Sequence, residues 1–303
     1  MTTESTSHIL IGEDELRPMF DPKRLEAKAK LCLPVQKQLM RKWLSDPDDQ
    51  DGIVTLNHLK HGIFVKLPEG GQKLVNVCSD IYQLIPVGEI MDKFEDVLGR
   101  HFDFEAKYRQ TENCRFFIDY VIKTKEVLVK PNGSTLPDTM YPKIRIATSY
   151  DSSNRYGVMT GFYRQVCSNG MMAQRFNTML RKKHYPNLLE EIEKTSDIVM
   201  NFVEQAQEYV AEFTKMAEKE FPDRQTFAHY LEQVLREVGM VKQIDAVMAQ
   251  VEKEQVILGT SEWNGWMLYN GINFQLNHNT TDLWMPENRR MAVDERVSSL
   301  ILA

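Results

Sequence analysis

"YPKIRIATSYDSSNRYGVMTGFYRQVCSNGMM", residues 141–172, decides the fold. Two runs rich in Ile, Val, Tyr and Phe, "KIRIATSYD" and "YGVMTGFYRQVCS", meet across the turn-forming "DSSN", the pattern of two strands joined by a turn. Successive strand residues point to opposite faces, so Phe162, Arg164 and Val166 share one face and Tyr163, Gln165 and Cys167 the other. "SNG", residues 168–170, then reads as a tight turn in which Asn169 or Gly170 takes a positive φ.

Upstream, between Ile53 and Val129, the texture is the same: "IVTL", "GIFVKLP", "KLVNVCSDIYQLIP", "CRFFIDYVI" and "KEVLVKP" read as strands. One helix interrupts them, "VGEIMDKFEDVLGRH", with Ile90, Met91, Phe94, Val97 and Leu98 at the helical period and Gly99 as its stop. "KPNGSTLPDTMYP" reads as a long irregular loop. The first residues are expected to be a mobile segment leading into a helix that Pro34 begins, with Val35, Leu39, Trp43 and Leu44 on one side and "SDPDDQDG" as its end. That acidic stretch lacks the ligand spacing of a calcium-binding loop, so a solvated loop is the simpler account.

Downstream of Pro186 the period changes to three and four. Val199, Phe202, Ala206, Tyr209, Phe213 and Met216 mark one helix, "PDRQ" breaks it, and Phe227, Leu231, Val234, Leu235, Val238, Ile244 and Val247 mark the next, with Gly239 as a kink. The tail "SEWNGWMLYNGINFQLNHN" reads as a further, aromatic helix. The expected fold is α+β: a mixed, antiparallel-rich sheet domain with a long helical hairpin inserted before a C-terminal aromatic helix. The expected segments are 1–51 (N-terminal segment and helix), 52–186 (sheet core), 187–257 (helical hairpin) and 258–303 (aromatic helix and tail).

The totals agree with a globular chain: 303 residues, 42% hydrophobic, 26% charged. The formal charge of -6 is spread along the sequence, which argues against a nucleic-acid or membrane binder working by bulk charge. No apolar run approaches the ~18–20 residues that span a bilayer. The start, "MTTESTSHIL", lacks the charged-then-apolar pattern of a signal peptide, so a cytoplasmic location in a bacterial host is expected. Cys32, Cys78, Cys114 and Cys167 are far apart, without a C-x-x-C pair, and are expected to be reduced.

Chemistry is sparse. Cys167 needs a base and a cationic neighbour to act as a nucleophile, and its place in a strand suits a small buried side chain equally well. Neither a phosphate-cradling nor a dinucleotide glycine motif occurs. His58 and His61 lack metal-binding companions, and Glu190–Glu191 and Asp48–Asp49 read as solvated faces. No catalytic residue, metal or cofactor is expected. The strongest charge feature is basic: Arg164, Arg175, Arg181, Lys182, Lys183 and His184 interleave with Tyr163, Phe176 and Tyr185, as in a single-stranded nucleic-acid groove. A solvated basic loop is the simpler account in an acidic chain. Phe202, Tyr209, Phe213, Trp263 and Trp266 are the candidates for an oligomer or partner interface, with an intrachain core as the plainer alternative.

The central signature resembles that of the phage/plasmid-like domain-of-unknown-function family that includes the YafZ/YfjQ group. Ser149, Asp151, Arg164, Val166, Cys167, Asn169 and Gly170 match its pattern, whereas Tyr150 and Ser152 stand where the family usually has His and Gly. Ser79 and Tyr82 upstream, and Asn270 and His278 downstream, extend the likeness over roughly residues 73–280. It implies a mobile-element gene, not an activity, and Tyr150 removes the His that a Ser-His-Asp site would require. The first functional expectation is a phage-encoded, non-enzymatic inhibitor that binds and encases a host antiviral nuclease assembly of the Gabija type, acting as a homo-oligomer. The alternative is a single-stranded DNA-binding or annealing protein of phage or plasmid recombination.

Overall fold

The computed structural model describes residues 9–12, 17–39, 61–67, 69–111, 114–164, 169–171, 180–182, 184, 188–278 and 287–303. In chain order the strands are β1 (Ile9–Gly12), β2 (Arg17–Pro18), β3 (Val35–Leu39), β4 (His61–Lys66), β5 (Gln72–Cys78), β6 (Phe104–Thr111), β7 (Arg115–Ile122), β8 (Val127–Val129), β9 (Asp138–Ser149), β10 (Tyr156–Arg164), β11 (Asn169–Met171), β12 (Leu180–Lys182), β13 (Glu220–Phe221) and β14 (Trp263–Asn264). The helices are α1 (Pro22–Leu31), α2 (Val87–His101), α3 (Leu188–Glu204), α4 (Val210–Glu218), α5 (Arg224–Glu237), α6 (Ile244–Leu258), α7 (Gly265–His278) and α8 (Glu287–Leu302). The fold is α+β, as the alternating and helical periods predict.

The large sheet has the order β1-β6-β7-β9-β10-β11, with β2 on β6, β8 on β9 and β12 on β10; a second sheet has the order β3-β4-β5. The chain divides into two compact units: residues 1–120, 145–158 and 179–198, and residues 121–144, 159–178 and 199–303. They interleave in sequence, and β7, β9 and β10 each contribute to both.

In the first unit, α2 turns Val87, Ile90, Met91, Phe94 and Leu98 inward, the three-and-four spacing of a one-sided helix. It runs through Gly99 to His101, two residues past the expected stop. β6 buries every second residue, Phe104, Ala106, Tyr108 and Gln110. Helix α1 was not legible as such. Asp21 caps it by accepting from Lys23 N at 2.8 Å, with Pro22 in the first turn. The expected helix at Pro34 is instead strand β3, paired Val35↔Val65 through Leu39↔His61 with β4. "VQKQL" fits either period, and the buried centre of β4, Gly62 to Val65, decides for the strand. The acidic stretch and "IVTL" lie outside the described residues.

In the second unit Phe162 is the centre of an aromatic cluster: Phe202, Tyr209 and Phe213 lie at 5.6, 6.0 and 5.3 Å. The expected single helix over 187–221 is broken between α3 and α4 by a 3-10 turn, Ala206–Tyr209. Gly239, with φ +73, separates α5 from α6 as expected. Strand β9 starts at Asp138, inside the stretch read as loop, and α8 has no counterpart in the sequence reading.

Candidate functional site

Arg164 answers part of what the central signature asks. Its guanidinium has no exposure and is held by two equally buried carboxylates, Asp138 through Nε and Glu254 through Nη1 at 2.7 Å. Trp266 donates its indole N–H to Asp138 at 2.8 Å, and Gln250 donates to Glu254 at 3.0 Å. Burial pushes the Asp138 carboxyl above its ordinary range, with Arg164 and the Trp266 hydrogen bond pulling it back. In the described conformation Arg164 is therefore an internal tie, not a surface cation.

Of the other basic candidates, Arg175, Lys183 and Tyr185 lie outside the described residues, as does Cys167. Arg181 and Lys182 belong to β12, whose backbone pairs Gly157↔Arg181 and Tyr156↔Lys182. Among the interface candidates, Phe202, Phe213 and Trp266 are buried in the second unit's own core. Tyr209 is partly exposed against Phe162 and Phe202, and Trp263 is partly exposed against Phe227 at 4.9 Å.

On the opposite face of β9 and β10 from Asp138 and Arg164, the second unit carries a lysine and two tyrosines. Lys123 Nζ lies 4.0 Å from the centre of the Tyr141 ring and 6.0 Å from that of Tyr163, and all three are partly exposed. β9 and β10 are neighbours, and the residue paired with Tyr163 on β11 is Gly170, which puts no side chain beside the ring. Asn169 and Gly170, read from the sequence as a tight turn, are instead backbone of β11. Sequence reading missed Lys123 and Tyr141. The alternation of "DTMYPKIRI" was available as a signal once that stretch is read as strand.

In the first unit, Ser149 to Asn154 form a self-bonded turn. Ser149 Oγ accepts from Asn154 N at 3.0 Å, and Asp151 accepts from Ser153 N at 2.9 Å and pairs with Arg115 at 3.1 Å. Burial acts to raise the Asp151 carboxyl, but hydrogen bonds from Ser153 and Ser149 and the contact with Arg115 hold it below its usual range. Tyr150 is buried and its hydroxyl accepts from Val87 N at 2.8 Å, at the start of α2. Where the resemblance supplies a His, this chain uses a helix cap. His184 stacks on Tyr82 at 5.1 Å with rings 3° from parallel, and its Nε2 lies 3.3 Å from Thr148 Oγ1; burial pushes its pKa down. Burial likewise pushes the thiols of Cys32, Cys78 and Cys114 up, away from thiolate. Among the described residues no group of three or more His, Cys, Asp or Glu could hold a metal ion. No described helix is long and apolar enough to cross a membrane.

A family profile described as a domain of unknown function, DUF932, matches residues 75–298. The chain belongs to the DUF932 family. The match covers most of the chain, including the Ser149–Asn154 turn, Arg164, the tyrosine-bearing strands and all but the last turn of α8. No curated protein and no solved structure matches the chain.

Proposed function

We propose that this DUF932 protein is a non-enzymatic binder of single-stranded nucleic acid, of the kind that annealing proteins of phage or plasmid recombination represent. The observation that supports the reading is the Lys123–Tyr141–Tyr163 platform. Two tyrosines on adjacent strands of a sheet, with a lysine over their rings, are the residue types of a single-strand groove, in which rings stack on bases and cations meet phosphates. Stacking is worth ~1–3 kcal/mol per base and tolerates any base. A net charge of -6 makes stacking, not bulk charge, the main source of affinity. Binding to labelled oligothymidine, followed by fluorescence anisotropy, tests this. Tyr141→Ala and Tyr163→Ala should each weaken binding ~5- to 150-fold, the range that ~1–3 kcal/mol allows. With few phosphates neutralised, the log–log salt slope should stay shallower than about -2, at roughly -0.7 per phosphate. An oligonucleotide that does not bind, or binds both variants as tightly as the parent, sinks the reading.

A different observation favours the inhibitor of a host antiviral nuclease assembly. Val256, Ile257 and Leu136 are 82%, 48% and 56% exposed around the C-terminal end of α6. They are rigidly presented, because Leu258 O accepts from Thr135 N and Leu136 N, at 3.1 and 3.4 Å, and from Thr135 Oγ1. Aliphatic side chains held out in water suit a protein partner, and an acidic inhibitor would suit the basic DNA-binding face of a nuclease. Tagged protein recovered from a host carrying defence systems should then elute as a stoichiometric complex, sized by light scattering and lost in Val256→Asp. Recovery of the uncomplexed chain counts against it.

A further inference from the structure

His184 lies just past β12 and is 5% exposed. Its ring stacks on that of Tyr82, and its backbone carbonyl accepts from Gln83 N at 2.8 Å, so it ties the end of β12 to the loop between β5 and α2. All of these residues belong to the first unit. The two ring nitrogens are unequally placed. Nε2 lies 3.3 Å from Thr148 Oγ1, whereas Nδ1 is buried without a hydrogen-bond partner. A neutral imidazole carries a single N–H, which Nε2 can direct at Thr148 while Nδ1 keeps a bare lone pair. An imidazolium carries two, and the second would be a buried donor with nothing to accept it. The surroundings do not offset such a charge, because among the described residues no carboxylate pairs with the ring. Lys37 of β3 donates to the Asp80 and Tyr82 carbonyls at 2.8 and 2.7 Å, and the Asp80 carboxylate is taken by His61 of β4 at 3.0 Å. Burial pushes the Cys78 thiol and the Tyr82 hydroxyl up, so both stay neutral, and Asp151, just after β9, is held by Arg115 and Ser153.

We propose that the His184–Tyr82 stack is an acid-released lock, closed at neutral pH and opened by protonation of His184, that holds the end of β12 on the loop before α2. In the open form the imidazole is solvated and titrates near its ordinary value of about 6.5. The closed form resists the proton, so the lock's contribution is fully present above about 6.5 and is lost as pH falls from there through the closed-state value. Strand β12 carries Arg181 and Lys182, so acid loosens a basic strand. The lock does not depend on what the tyrosine platform of the second unit binds.

Hydrogen exchange of the Gln83 amide in the full chain, corrected for the pH dependence of intrinsic exchange, reads the lock directly, because that amide donates to the His184 carbonyl. Its protection should fall by up to about ten-fold for each pH unit below about 6.5. His184→Phe keeps a ring to stack on Tyr82 but takes no proton, and its protection should stay level over the same range. The same fall in the variant, or a level profile in the parent, would overturn the proposal. If His184→Phe does not fold, the ring-proton NMR titration of His184 in the parent decides. A midpoint below about 6.5 is expected, and one at or above that value overturns the lock.

Discussion

Asp294 shows what a single buried carboxyl does to this protein. It lies between Tyr269 and Asn273, which donate to it at 3.2 and 2.7 Å, and burial nonetheless pushes its pKa up to about 6. In the unfolded chain the value is about 3.9. A folded-state pKa raised above the unfolded one means that stability from this group is fully present below the unfolded value and is lost as pH rises through the folded value. By neutral pH the loss is about 3 kcal/mol. Asp294→Asn should therefore stabilise the protein at pH 7.5 by up to about that amount and flatten the fall in stability between about pH 4 and 6. Urea unfolding across that range checks it, and a variant less stable at every pH would mean that the carboxylate is better satisfied than its burial suggests. Residue identity alone carried none of this, because α8, which holds Asp294, has no counterpart in the sequence reading.

At the scale of elements, close approach decides more than propensity. Helices α6 and α7 meet where Gly271 has no side chain: a Cβ there would lie 2.7 Å from Val251 Cγ2 and 3.1 Å from Val247 Cγ1. Gly271→Ala should push the helices apart and lower stability by about 1–3 kcal/mol, read as a fall in the urea midpoint at unchanged slope. A midpoint equal to the parent's would show that the two valines can give way. Elements with strong periods were readable, α2 from its spacing of apolar residues and α7 from its aromatic run. β3 was not, because five residues of alternating Val, Gln and Lys suit a helix or a strand until a partner strand claims them.

For the whole molecule, interleaving has a direct consequence. Helices α4 to α8 belong to the unit that also takes residues 121–144 and 159–178, so a fragment ending at residue 186 keeps Phe162 and Arg164 without Phe202, Phe213, Glu254 or Trp266. Such a fragment should be insoluble or should lack the near-ultraviolet circular dichroism of packed aromatics, and a monomeric, cooperatively unfolding fragment would contradict this. The amino-acid sequence by itself determined the α+β class, the antiparallel strands around "DSSN", helix α2 and the helical second half, because hydrophobic period is a local property of the chain. The tertiary structure alone decided that Arg164 turns inward to Asp138 and Glu254, that Tyr150 caps α2, and that Tyr141 and Tyr163 gather around Lys123. Each of these joins residues distant in sequence, and a side chain's partner across such a separation is set by how sheets and helices pack.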